Sequence, residues 1–221
     1  MNQLLQLLKA EFIRQIRNKY VFAGLLVYQL SSVVLVKFII QYMSLQHNEA
    51  GVLMAFFWLI AVFGIVNAVV GSFHKDPESR LFYYRWLMSP ALFISSRLLF
   101  NFFFACVLAI LAWFTIHVLL NWEIHNKAIF LLALILGSGG YAIIFTLVTA
   151  VASGTLHAAS LTAVMGLPLT IPLLMFSTRL SAIAAGYDAN VQVWKQILLL
   201  LLLDCVIAAL SYILFPYIWR D

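Results

Sequence analysis

Charge is what this sequence has least of. Asp, Glu, Lys and Arg together make up only 10% of its 221 residues, whereas hydrophobic residues make up 65%. A soluble core of this size cannot hide that much apolar surface, and several apolar runs reach the ~20 residues needed to cross a bilayer. A water-soluble fold is therefore excluded, and the chain reads as an all-α, polytopic membrane protein with one transmembrane domain over residues 1–221. Cysteine is nearly absent. Cys106 and Cys205 both fall inside apolar runs, which argues against a disulfide framework and for small apolar packing roles. No GxxxxGK[ST] loop occurs, so the chain has no P-loop of its own for ATP. Neither HExxH nor CxxCH is present, and no Ser/His/Asp set or carboxylate pair lies in an apolar run. These absences speak against an intrinsic enzyme. The net charge of +5 is no nucleic-acid signature, because the basic residues sit in short segments beside apolar runs.

What is present can be taken in order. Residues 1–19 place Leu5, Leu8, Phe12 and Ile16 at helical spacing, with Lys9, Arg14, Arg17 and Lys19 mostly elsewhere. This predicts an amphipathic helix lying in the membrane interface. The next apolar run, residues 20–40, is long enough to span and too long for the core of a cleaved signal peptide. Five more spans are expected near residues 52–70, 98–120, 128–151, 161–176 and 197–218. Between the second and third lies a polar island, residues 72–90. Six spans put both termini on one side. That side collects Lys9, Arg14, Arg17, Lys19, Lys75, Arg80, Arg85, Arg97 and Arg220, leaving Lys127, Arg179 and Lys195 on the other. The bias makes the first side cytoplasmic.

The island is the first candidate for function. It reads as a short helix over about residues 77–87, with Pro77 in its first turn and Asp76 and Glu78 at its N-terminus, where acids favour the helix dipole. Arg80 and Arg85 add charge, and Phe82, Tyr83, Tyr84 and Trp86 add an aromatic face. Such a helix suits either a groove in a partner protein or a bed of lipid headgroups.

Inside the spans the ionisable residues are Lys37 and Asp204. Lys37 lies close enough to the outer end of its span to snorkel. Asp204 is short and deep, so it is expected to face the bundle interior, paired with Lys37 or Arg179. Pro168 and Pro172 in GLPLTIPLLMF each remove a backbone donor, predicting a kinked or broken fifth helix with Thr170 satisfying a freed carbonyl. Gly137, Ser138, Gly139 and Gly140 in the fourth span permit close helix approach. Trp122 suits an interfacial position. His117 and His125 flank the outer end of the third span, while His47, His74 and His157 fall in loops. None belongs to a metal-ligand cluster. A single imidazole can ligate haem iron, but structural or interfacial roles are the reading the sequence favours for each.

The amphipathic N-terminal helix, six spans, a polar loop after the second and the segment LPLTIPLLMF, residues 167–176, together resemble the integral-membrane subunit of the cytochrome c maturation ABC transporter, the heme exporter protein B family. The segment is similar to that family's LPLTIPLLIF-type signature, and the resemblance covers nearly the whole chain. The island departs from the family's DxxxGSLEQLLLLPL pattern, since Asp76, Pro77, Glu78, Ser79 and Arg80 are followed by LFYYRWLMSP. The resemblance implies a permease subunit of the cell inner membrane, working with a separate ABC ATPase subunit that docks on Asp76, Glu78, Arg80, Tyr83, Tyr84 and Arg85. It also implies a second permease copy, other cytochrome c maturation membrane proteins as partners, and heme delivery to the outer face, with heme either the transported substrate, not a resident cofactor, or released from a chaperone by ATP use. Two alternatives stay open. One is an ABC-2 permease for a lipid, polysaccharide or drug, and the other is a membrane scaffold with no transport path.

Overall fold

The computed structural model describes residues 2–17, 19–42, 50–73, 89–153, 158–186 and 192–220. Hydrocarbon offers no hydrogen-bond partners, so each apolar run closes its backbone bonds internally and becomes a helix. Seven helices and no strands result among the described residues. They are α1 (Asn2–Arg17), α2 (Lys19–Tyr42), α3 (Ala50–Phe73), α4 (Pro90–Leu120), α5 (Lys127–Ala152), α6 (Ala158–Ala184) and α7 (Val193–Arg220). All but α1 are long and apolar enough to cross a membrane. Alternate connections put α1, the end of α3 and the start of α4 at one end, here called the base. The segment joining α4 to α5 lies at the opposite end.

Helix α5 is the hub. It packs against α3, α4, α6 and α7, and it buries the largest share of its apolar window, α7 the smallest. Its small-residue turn makes this possible. A side chain added at Gly137 would enter the Trp58 ring of α3, one at Gly139 the Phe102 ring of α4, and one at Gly140 would meet Asp204 of α7 and Leu173 of α6. Three glycines within one turn thus admit four neighbours. In lipid, where apolar surface alone does not drive helices together, such close approach and interhelical hydrogen bonds hold the bundle.

Those bonds are present. Trp58 Nε1 donates to Ser181 Oγ (2.9 Å), the Tyr141 hydroxyl pairs with Ser177 Oγ (3.0 Å), Asn101 Nδ2 donates to Thr146 Oγ1 (2.8 Å), and Gln29 Nε2 donates to the Leu108 carbonyl (2.9 Å). They link α3 to α6, α5 to α6, α4 to α5 and α2 to α4.

Two helices differ from what was read in the sequence. Helix α4 starts at Pro90, eight residues before the expected 98 (98 − 90 = 8), because Ser89 in extended geometry (φ −71°, ψ 143°) and proline at the first position start it there. Helix α6 continues past residue 176 to Ala184. The serines there belong inside, since Ser177 and Ser181 turn their hydroxyls onto Tyr141 and Trp58 and are fully buried. Helix α6 also runs unbroken through Pro168 and Pro172, so of the expected kink or break, the break does not occur. Thr170 Oγ1 donates to the Leu167 carbonyl (2.7 Å). The carbonyls a helix loses to prolines at these two positions are those of residues 164 and 168, so Thr170 does not replace either bond.

Trp58 cannot move aside, being held by Ser181 and packed at 5.1 Å and 5.7 Å ring separations against Phe57 and Tyr141. Gly137→Ala should therefore cost about 1–3 kcal/mol by overpacking, outweighing the roughly 1 kcal/mol that alanine gains in helix propensity. Gly71→Ala, with nothing within 4 Å of its added carbon, should be neutral or stabilising. Thermal unfolding of the detergent-purified chain reads the difference, and equal melting temperatures would refute the close-packed hub.

Candidate functional site

The best-defined polar assembly lies at the base, around Arg97. Two turns inside α4, this arginine is fully buried. Its Nη2 lies 3.2 Å from Glu11 Oε1 and its Nη1 3.3 Å from Glu11 Oε2, a two-pronged pair with the acid on α1. Nη1 also donates to the Ser72 carbonyl at 3.0 Å. Ser72 sits in the last turn of α3, whose carbonyls have no partner within the helix and carry the negative end of its dipole, so a cation is well placed there. The guanidinium completes its contacts over the Phe93 ring, 5.2 Å from the centroid. One side chain thus ties together α1, the end of α3 and the start of α4. The last two are the elements from which the island leaves and to which it returns.

Helix α4 has 31 residues, about 46 Å at 1.5 Å per residue, against a hydrocarbon core of about 30 Å. Its excess leaves room for a first section outside the hydrocarbon. Buried within α4, Arg97 is not a solvent-facing loop charge, as its place in the sequence suggested. Helix α1 adapts to it. Leu7 and Glu11 turn inward, while Leu5, Phe12 and Ile13 are exposed. Leu5 and Phe12 hold the outward face that an interface helix requires.

A second feature is Asp204 on α7. Its carboxylate faces the bundle interior as expected, but Oδ1 is buried with no hydrogen-bond partner, set against Gly140 of the hub. It makes no ion pair with Lys37 or Arg179 among the described residues. Arg179 is exposed at the far end of α6, and Lys37 is half-buried on α2. Pro168 and Pro172 are exposed on α6, and Thr170 is buried. No hydrogen bond or ion pair joins Lys37, Thr170 and Asp204 to one another. The island residues Asp76, Glu78, Arg80, Tyr83, Tyr84 and Arg85 lie outside the described residues.

The opposite end is closed by aromatic rings. Trp122 is buried, 6.2 Å from the Phe57 ring and 5.8 Å from Phe130. Trp113 packs on Phe130 at 5.9 Å. Asn126 caps α5 through Ile129 N (3.2 Å), and its own N–H donates to the Ala184 carbonyl (2.8 Å), pinning the connection to the end of α6. Cys106 accepts a hydrogen bond from Ser138 (3.4 Å), and Cys205 is exposed.

The clamp was missed in the sequence because Arg97 follows a basic island and looks like part of it. The available signal was Glu11, the lone acid of the first helix, which has no reason to interrupt a basic interfacial helix unless a cation meets it. Removing one partner of a buried pair leaves the other charge uncompensated. Arg97→Gln or Glu11→Gln should each destabilise the purified chain by about 3–5 kcal/mol. The double replacement Glu11→Leu, Arg97→Met should recover most of that loss, and an additive double variant would show that the two residues do not act as a pair.

Compared with known families, residues 2–217 match the model described as CcmB protein. A search of curated proteins finds no match.

Proposed function

The chain belongs to the CcmB family, whose members are membrane permease subunits of heme export for cytochrome c maturation, and on that premise we propose that it works as the permease half driven by a separate ABC ATPase subunit. It is a multi-pass protein of the inner membrane. Both termini face the cytoplasm, on the side that carries the island. Heme is its cargo, no cofactor being resident. A second copy completes the transporter, since one set of six spans supplies half, and other cytochrome c maturation membrane proteins stand beside it in lipid.

The observation that carries the coupling is the Arg97 clamp. The ATPase docks on the segment holding Asp76, Glu78, Arg80, Tyr83, Tyr84 and Arg85, which lies between the end of α3 at Phe73 and the start of α4 at Pro90. A push on that segment reaches Ser72 and Pro90 together. Because the same guanidinium holds Ser72, Glu11 and its own helix, the ends of α3 and α4 move with α1 rather than apart. Helix α4 then carries the displacement towards the far end. Its contacts through Phe102 with the Gly139 turn of α5 pass it to the hub, and from there to α6 and α7. Proline at 168 and 172 gives α6 two points where a backbone bond is missing, so α6 is the helix that bends most cheaply under that load. Asp204, an unpartnered oxygen at the α5–α7 contact, marks a place where the two helices are not locked by polar bonds.

The test is capture of partners by the tagged chain from solubilised membranes, native against the triple variant Glu78→Ala, Arg80→Ala, Arg85→Ala. An ABC ATPase and cytochrome c maturation proteins should come down with the native chain, the ATPase being lost from the variant. Absence of any ATPase from the native complex would contradict the proposal.

A further inference from the structure

We propose that His117 is an axial ligand for an iron porphyrin at the outer end of the bundle. His117 stands in the last turn of α4 with its ring exposed. After Leu120 the chain turns sharply, with Asn121 in the left-handed region (φ 50°, ψ 39°), and this brings the Trp122 carbonyl back to His117 Nδ1 at 2.7 Å. A carbonyl oxygen only accepts. Nδ1 therefore carries the proton, which in the neutral ring leaves the lone pair on Nε2. This is the arrangement by which metal-ligating histidines are held, the second nitrogen donating to a backbone carbonyl so that tautomer and ring orientation are fixed.

The ring is also held from its face. Trp113 stacks on it at 6.0 Å and 29°, Trp113 rests on Phe130, and Phe130 meets the buried Trp122 whose carbonyl makes the hydrogen bond. An exposed imidazole anchored by both a carbonyl and an aromatic cluster is more constrained than solvation of its edge requires. His125, exposed at the same end beside Gly186, has no such hydrogen bond.

The donor set selects the ligand. No group of three or more His, Cys, Asp or Glu side chains that could hold a bare metal ion occurs among the described residues. A porphyrin brings four equatorial nitrogens of its own and asks the protein for one axial ligand. Beside His117 the surface is apolar, with Phe114 58% and Val118 57% exposed, which suits the flat hydrocarbon body of such a macrocycle. The proposal rests on the permease reading for the choice of iron porphyrin as cargo, and it adds the place on this chain where that cargo is held at the outer end.

The test titrates ferric protoporphyrin into the purified full chain in lipid nanodiscs and follows the visible spectrum. The native chain should bind saturably with the Soret shift of an imidazole-ligated iron. His117→Ala should lose that shift and weaken binding by at least about tenfold. His117→Gln, whose amide can still donate to the Trp122 carbonyl but offers no imidazole, should do the same at an unchanged melting temperature. His125→Ala should behave as native. An unaltered spectrum and affinity in His117→Gln would overturn the assignment, as would equal binding of metal-free protoporphyrin to native and variant chains with no iron-dependent shift. Capture of the ATPase by His117→Gln separates the two readings. If capture persists while the native chain shows no Soret shift, the ligand site fails alone. If the native chain captures no ATPase, the permease reading fails whatever the spectrum.

Discussion

The bundle depends on one turn of helix, Gly137 to Gly140, that carries almost no side chain. Four helices reach the axis of α5 there, each with a large group seated where a Cβ would stand: Trp58, Phe102, Leu173 and the carboxylate of Asp204. In water a cluster of leucines would gather helices without such shape matching. In lipid it would not, because a leucine gains little by leaving one hydrocarbon for another. Close approach and hydrogen bonds must supply the specificity, and both occur at this level. The Trp58–Ser181 and Tyr141–Ser177 bonds lie beside the glycine turn and satisfy polar atoms that hydrocarbon would leave bare.

The base is built differently. Here a buried charge pair does what small residues do at the centre, and a pair of this kind is poor evidence of stability for its own sake, since apolar replacements of similar volume often serve as well. Its geometry is what gives it meaning. Arg97 reaches three separate elements, and two of them are the roots of the island. A hydrophobic contact would tolerate sliding between α1, α3 and α4, whereas a two-pronged ion pair with an additional carbonyl contact fixes their relative positions. That is what a link transmitting force from a docked ATPase requires.

Much of this was legible in the sequence. Uninterrupted apolar length is a strong signal in a membrane protein, and the second and fourth spans, read as residues 52–70 and 128–151, became Ala50–Phe73 and Lys127–Ala152. The tight GSGG turn was legible too, because small residues in a span have few other uses. Illegible were the features that depend on which face meets which neighbour. Ser177 and Ser181 looked like the start of a loop because serine is polar, and only Trp58 and Tyr141 across the interface make them interior. Arg97 looked like a topology charge until Glu11 was found against it. The pairing expected for Asp204 does not form for the same reason: depth in a span can be read from sequence, but α7 turns that carboxylate towards the backbone of Gly140, where it pairs with neither Lys37 nor Arg179.

The clamp as a mechanical link is tested most directly by reversing its charges in cells that depend on this chain for c-type cytochromes. Glu11→Arg and Arg97→Glu should each abolish holo-cytochrome c formation at membrane protein levels matched to native, with the ATPase still captured. The paired exchange, which restores opposite charges across the same gap, should return a substantial fraction of it. Full holo-cytochrome c yield from either single reversal would contradict the account.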